Sequence, residues 1–411
     1  MNHLKQELGL WQGVGLLSTS LLGTGVFAVP ALAAGFAGSD SLWAWPILLI
    51  FVFPIAITFA TLGRYYPHAG GAAHFVQLAF GPRMAKVTAW LFLSVIPVGL
   101  PAALHIASGF WQVAFGLSAN HLLWIQLGTI FALWLLGMRS AGASANLQTI
   151  IALLIIGLII LIWWGGKITP AKIPWTPLTD ISLQPLFSAL SVMFWCFVGL
   201  EAFAHLASEF KNPKRDFPRA LLIGLLIAGG VYWACTVAIL IFHTFKGETT
   251  AVSSIPAIMI QLFGPKSLWI ACIIGYLACF ASINIYTQSF ARLVWSQAQE
   301  NKTDSKMAKL SQNQVPLNAL SVVLICCLLS SLLAHIIDLS LDSLLIYANG
   351  IFILIYLFCM LSGIKLLEDK SKLLAIVSSL LCIGLLLMLG WHSLYAIIAF
   401  MMLYIIMMYK K

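Results

Sequence analysis

Charge is what this sequence has least of. Only 9% of its 411 residues are Asp, Glu, Lys or Arg, against 61% hydrophobic, too few to cover the surface of a soluble domain of this size. Acid is scarcer than base, 13 residues against 22. No low-complexity segment and no polar stretch long enough for a soluble domain is present. The cysteines lack pattern. Cys196, Cys235, Cys272, Cys279, Cys326, Cys327, Cys359 and Cys382 all fall within apolar runs. None has zinc spacing, so they read as small core hydrophobes without a disulfide framework. A His-Glu-x-x-His motif is missing, and Gly142-Ala143-Ser144 with scattered histidines makes no nucleophile–base pair, which argues against an intramembrane hydrolase. No metal and no cofactor is expected, and the chain does not read as an enzyme. Short alternating strands are missing too, against a membrane β-barrel, as is any filter or charged ring of a channel.

What is present is a series of apolar runs of about 20 residues, the length that crosses a bilayer as helix. They read as about twelve spans: 10–36, 42–62, 84–114, 121–138, 144–165, 183–208, 219–243, 268–297, 318–336, 340–364, 373–390 and 392–409. The fold class is all-α and polytopic, and residues 1–411 form a single transmembrane domain. Lys5, an apolar stretch and Ala31-Leu32-Ala33 imitate a cleaved signal peptide. That stretch is too long and too many spans follow, so an uncleaved first span is expected. With the N-terminus inside, every basic residue except Lys167, Lys172, Lys246 and Lys266 falls on the cytoplasmic side. Both termini are then cytoplasmic. The net charge of +9 follows from this bias and requires no nucleic-acid partner. Residues 251–264 are too short to span and read as a surface helix or lid. Residues 299–316 are polar and read as a mobile cytoplasmic loop.

Two spans are interrupted. The first carries Gly23-Thr24-Gly25 with Pro30 following; the sixth carries Gly199 with Glu201 just beyond and His205 one turn on. Gly weakens a helix, and irregular backbone at membrane depth is tolerated where it lines a cavity. Breaks at matched positions point to inverted halves with a site between them. The alternative is that the glycines are only close helix-packing points.

Phe194-Trp195-Cys196-Phe197-Val198-Gly199-Leu200-Glu201, followed by Glu209-Phe210-Lys211-Asn212-Pro213-Lys214-Arg215-Asp216-Phe217-Pro218-Arg219-Ala220, resembles the sixth helix and following loop of the amino acid–polyamine–organocation (APC) superfamily. Leu62-Gly63-Arg64, Gly70-Gly71 and Ala79-Phe80-Gly81-Pro82 are similar to its second-helix exit loop. The likeness covers essentially the whole chain. It implies the five-plus-five inverted-repeat (LeuT-like/APC) fold with helices 1 and 6 broken: first repeat about 10–165, second about 183–364, two extra C-terminal helices about 373–409. It also implies a bacterial inner-membrane secondary transporter working by alternating access. Export of apolar amino acids, L-methionine and the branched-chain set, is the implied function. An importer or exchanger of the same substrates is the alternative, and a non-transporting sensor or assembly subunit a lesser one.

A free amino acid offers a carboxylate and an ammonium. N–H groups at a half-helix start at Gly23, Thr24 and Gly25 suit the carboxylate. Carbonyls near Leu21 and from Trp195 to Val198 and Gly199 suit the ammonium, and the resemblance points to the same positions. Phe27, Pro97, Pro101, Tyr286 and Asn349 are the remaining pocket candidates, with Trp195 as a gate. Glu201 is the one acid placed mid-membrane and reads as a titrating or gating group; the alternative is a structural carboxyl. His205 is either its relay partner or a packed neutral histidine. Some members of the superfamily carry a coupling lysine in the fifth span. This chain has no charge there, so a mechanism relying on that lysine is not expected; separately, the mid-membrane Glu201 is the expected site of proton coupling. Ser282 and Thr287 offer hydroxyls for sodium, a weaker reading. The expected partners are a small amino acid and the lipid bilayer, as monomer or homodimer.

Overall fold

The computed structural model describes residues 8–68, 71–118, 121–138, 145–204, 207, 210–245, 251–301, 306–311 and 315–409. These residues are almost all helical. The elements that matter here begin with α1 (Leu10–Gly25), α2 (Val29–Ala37), α3 (Ser41–Tyr65), α4 (Gly71–Phe80), α5 (Pro82–Leu93), α6 (Ile96–Phe115), α7 (Leu122–Gly137) and α8 (Ala145–Gly165). They continue with α9 (Leu183–Met193), α10 (Leu200–Ala204), α11 (Asp216–Ile241), α12 (Ser254–Phe263), α13 (Ser267–Asn301), α14 (Leu317–Ile336), α15 (Leu341–Leu366), α16 (Asp369–Met388) and α17 (Ser393–Tyr409). Among the described residues, eight helical stretches are long and apolar enough to cross a membrane. Four shorter apolar ones are Leu122–Gly137, Thr149–Gly165, Leu183–Phe197 and Ala251–Phe263. The protein is therefore a multi-pass membrane protein.

The hydrophobic faces explain the arrangement. Helices α16 and α17 present apolar side chains outward, among them Leu380, Leu387, Met402 and Ile406. Helices α1 and α15 are instead buried almost throughout. α1 packs on α11, α8 and α13, and α15 on α16, α4 and α6. Those two buried helices and α13 make the centre. At one mouth, the buried Asp40 carboxylate accepts the Ser182 N–H at 3.0 Å. This satisfies one of the free donors at the start of α9 and holds the end of α2 against it.

Residues 254–263 do form the short helix expected there, packed on α13. Of the segment expected as a mobile loop, residues 302–305 and 312–314 lie outside the described residues. α13 runs on to Asn301, and the turn at Lys306–Ala308 is tied down: Trp295 Nε1 donates to Ala308 O (3.0 Å) and Asn318 Nδ2 to Lys306 O (2.8 Å).

Candidate functional site

Both expected breaks are real, but the first sits a turn later than the glycines suggest. Gly23, Thr24 and Gly25 form the last turn of α1 rather than the start of a second half-helix, and the Val26 N–H still bonds Leu22 O at 3.2 Å. The chain breaks over residues 26–28, and α2 starts at Val29. Pro30 is the cause. Its ring excludes a helical carbonyl four residues back, at Val26, and that carbonyl takes the Cys235 thiol at 3.2 Å instead. The helix start that presents N–H groups is thus that of α2, not Gly23–Gly25.

The glycines serve close approach. A Cβ on Gly23 would lie 2.5 Å from Ser282 Cβ on α13, and one on Gly25 would lie 2.8 Å from the Tyr232 hydroxyl and 3.1 Å from Cys196 Sγ. Gly23→Ala should therefore destabilise the protein by about 1–3 kcal/mol through overpacking, seen as a lower melting temperature in detergent. Adding Ser282→Gly should restore it. An unchanged melting temperature for the single variant would rule out this packing role.

The sixth-span break is sharper. α9 ends at Met193, a 3-10 turn covers Phe194–Phe197, Val198 is extended, and Gly199 has φ 131°. That conformation is open to glycine and strained for other residues. The short α10 then carries Glu201, which is 1% exposed. Its carboxylate accepts the Gly199 N–H at 3.0 Å, the Tyr286 hydroxyl from α13 at 3.2 Å and the Tyr356 hydroxyl from α15. The Tyr356 hydroxyl also lies 3.1 Å from Phe197 O. One carboxylate thus ties together the break, α13 and α15. His205 lies outside the described residues.

A narrow cavity of about 30 Å³ lies between the two breaks, room for a water or two and no more. Its walls come from α1 (Ser20, Leu21, Thr24), α6 (Val95 just before it, then Gly99, Leu100, Ala103), the sixth-span break (Trp195, Val198), α13 (Ser282, Ile283, Tyr286, Phe290) and α15 (Phe352). Among the described residues, no Asp, Glu, Lys, Arg or His lines it. Trp195 closes it: its indole N–H donates to Thr24 Oγ1 at 3.0 Å, and its ring meets Phe352 edge-on at 6.5 Å.

Of the residues picked from sequence, the structure brings Leu21, Thr24, Trp195, Val198 and Tyr286 to this cavity, and also Ser282, picked as a sodium hydroxyl. Gly23, Gly25 and Gly199 adjoin it without lining it. The Leu21 carbonyl accepts the Tyr232 hydroxyl at 2.6 Å, and Trp195 O accepts the Val198 N–H at 3.2 Å. Phe27 is buried edge-on against Phe110 at 5.4 Å. Pro97 is exposed and Pro101 buried away from the cavity. Each is two residues from Gly99, about 160° round a helix of 3.6 residues per turn. Asn349 is fully buried and bonds Ser191 O. Thr287 spends its hydroxyl on Asn284 O at 3.0 Å. Sequence reasoning missed Ser20, the α6 wall, Ile283, Phe290 and Phe352. The one signal for α6 was its small residues Gly99, Ala102 and Ala103. Among the described residues no group of three or more His, Cys, Asp or Glu is placed to hold a metal.

The comparisons with known proteins agree with this architecture. The amino acid permease family model matches residues 8–410. The L-methionine/branched-chain amino acid exporter YjeH of Escherichia coli (strain K12) is 64% identical over 411 residues, covering 100% of this chain and 98% of that protein. The uncharacterized amino acid permease YecA of Bacillus subtilis (strain 168) is 26% identical, covering 96% of this chain and 93% of that protein. The serine/threonine exchanger SteT of the same organism is 25% identical, over 73% of this chain and 70% of that protein. Full-length identity, buried broken helices and an uncharged central cavity converge, and the chain belongs to the amino acid permease family of the APC superfamily, a family of transporters and not of enzymes.

Proposed function

We propose that this chain exports L-methionine and the branched-chain amino acids by alternating access, with the substrate held between Leu21 and Thr24 of the first span and Trp195 and Val198 of the sixth. The observation that carries the substrate class is the cavity wall, largely apolar and, among the described residues, without a charged side chain. Such a wall has no acid to pair with a second ammonium and no base for a second carboxylate, and burying either unpaired is costly. The direction rests on the full-length likeness to an exporter. The reading includes twelve spans in two inverted repeats, residues 10–165 and 183–364, followed by extra helices at 373–409. It places the chain in the bacterial inner membrane with both termini cytoplasmic. Coupling is to protons through Glu201, without a cofactor.

The cavity holds no amino acid at its present size, so loading requires Trp195 to leave Thr24. The Glu201 knot and the Trp195 latch act at different heights of the same helices, as alternating closures would.

Labelled methionine, leucine and lysine, preloaded into cells with and without the protein, test substrate and direction together. The expected result is rapid loss of methionine and leucine, at least tenfold faster than of lysine. Lysine leaving as fast as methionine would refute the apolar-pocket reading. Faster uptake with no efflux would assign an importer instead.

A further inference from the structure

A second and larger cavity, about 590 Å³, opens at the far end of the same helices from Glu201, within the range of small-molecule sites of about 300–1,000 Å³. Unlike the central cavity, it carries charge. Asp342 of α15 lines it together with Gln184 of α9 and His392 after α16, while Phe187, Ile346 and Met388 form an apolar wall. A carboxylate, an amide and an imidazole beside aliphatic and aromatic surface match the three parts of a free aliphatic amino acid: ammonium, carboxylate and side chain.

The two cavities have no lining residue in common but lie along the same two elements, α15 and the sixth span. On α15, Ile346 faces the outer cavity and Phe352 the central one, about 9 Å apart at 1.5 Å per residue. On the sixth span, Ser191 lines the outer cavity and Trp195 the central one. Between these pairs lies Asn349, fully buried, whose Nδ2 donates to Ser191 O at 2.7 Å. Ser191 stands in the last turn of α9, where carbonyls lose their intrahelical donors. The Asn349 Oδ1 atom is buried and has no hydrogen-bond partner. Buried acceptors are rarely left so, and an ammonium passing the partition would supply the missing donor.

We propose that the outer cavity is a second station for the transported amino acid, and that the Ser191–Asn349 bond is the partition displaced as the substrate passes from one cavity to the other. Asp342 receives the ammonium, Gln184 and His392 the carboxylate, and the apolar wall the side chain. This rests on the amino acid transport proposed above. An aminophospholipid headgroup shares the ammonium chemistry, and the test separates the two.

Among the eight free cysteines only Cys326 is exposed. Ser188, which lines the outer cavity, is changed in a Cys326→Ser, Ser188→Cys protein, and its alkylation by a maleimide is followed in detergent. L-leucine should slow alkylation several-fold, N-acetyl-leucine should not, and Asp342→Asn in the same background should remove the protection. Labelling indifferent to leucine, or slowed only by phosphatidylethanolamine, overturns the outer station. Leucine efflux from the unaltered chain is measured alongside: its absence refutes the transport reading, whereas its presence with unprotected labelling refutes the outer station alone. Asn349→Ala should keep the protection but lower efflux several-fold. Efflux unchanged, or protection lost together with efflux, overturns the partition.

Discussion

Gly199→Ala should reduce methionine efflux at least tenfold while leaving the amount of inserted protein near wild type. At φ 131° an alanine is strained whatever the space around it, and its Cβ would also lie 2.8 Å from Ser20 Oγ. Holding a non-glycine residue in such a region costs about 1–3 kcal/mol, and each 1.4 kcal/mol or so is a factor of ten. The turn relieves that strain by shifting, and both things it connects belong to the proposed cycle. Val198 before it lines the cavity, and Glu201 after it bonds back to its N–H. Insertion depends on apolar span length and is not touched. Gly116 gives the control. It also has a positive φ of 62°, at the exposed end of α6, with nothing within 4 Å of an added Cβ. Gly116→Ala places a left-handed alanine, a conformation L residues can adopt at some cost, far from the cavity and should transport nearly normally. Equal efflux by both variants would remove the break at Gly199 from the mechanism.

Glu201→Gln should flatten the pH dependence of transport. The wild-type carboxylate accepts from three neutral donors, Gly199 N–H, Tyr286 and Tyr356. Taking up a proton makes one oxygen a donor, and one of those contacts must reverse. Tyr356 allows this, because its hydroxyl can turn its proton to Phe197 O, 3.1 Å away. Protonation therefore changes which bonds join the sixth-span break to α13 and α15, and that is how a proton would be linked to opening. Gln keeps the shape. Its oxygen can accept from Gly199 and Tyr356 and its amide can donate to the Tyr286 oxygen, but it cannot ionise. The measurement is efflux against pH in proteoliposomes for wild type and variant at matched protein. A Gln variant with the wild-type profile would make Glu201 a structural knot and move coupling elsewhere. A Glu201→Asp variant serves if Gln does not insert, since a shortened carboxylate still titrates and should retain a pH dependence.

Much of this was legible in the chain itself. The membrane class followed from the scarcity of charge and the length of the apolar runs. Gly199 and Glu201 stood out because glycine and a carboxylate are both costly in mid-membrane helix. The first break was read one turn early. Gly23 and Gly25 looked like the interruption, yet a helix tolerates glycine at about 1 kcal/mol, whereas Pro30 acts through a carbonyl four residues upstream. In the third span, Pro97 and Pro101 drew notice as unusual residues, while the cavity wall is made by the unremarkable Gly99, Leu100 and Ala103 on the opposite side of the helix.

The sequence alone determined that this chain crosses a membrane many times and that two spans are broken, with one acid placed beside the second break. Only the tertiary structure decided which faces meet. The central helices are apolar all round, so no amphipathic stripe marks the side that lines a cavity. Lipid offers a buried face nearly the same solvent as a neighbouring helix does, so packing and hydrogen bonds set the rotation instead. Glu201 shows the consequence: its partners Tyr286 and Tyr356 lie 85 and 155 residues away, joined to it by the packing of α13 and α15 that no local pattern encodes.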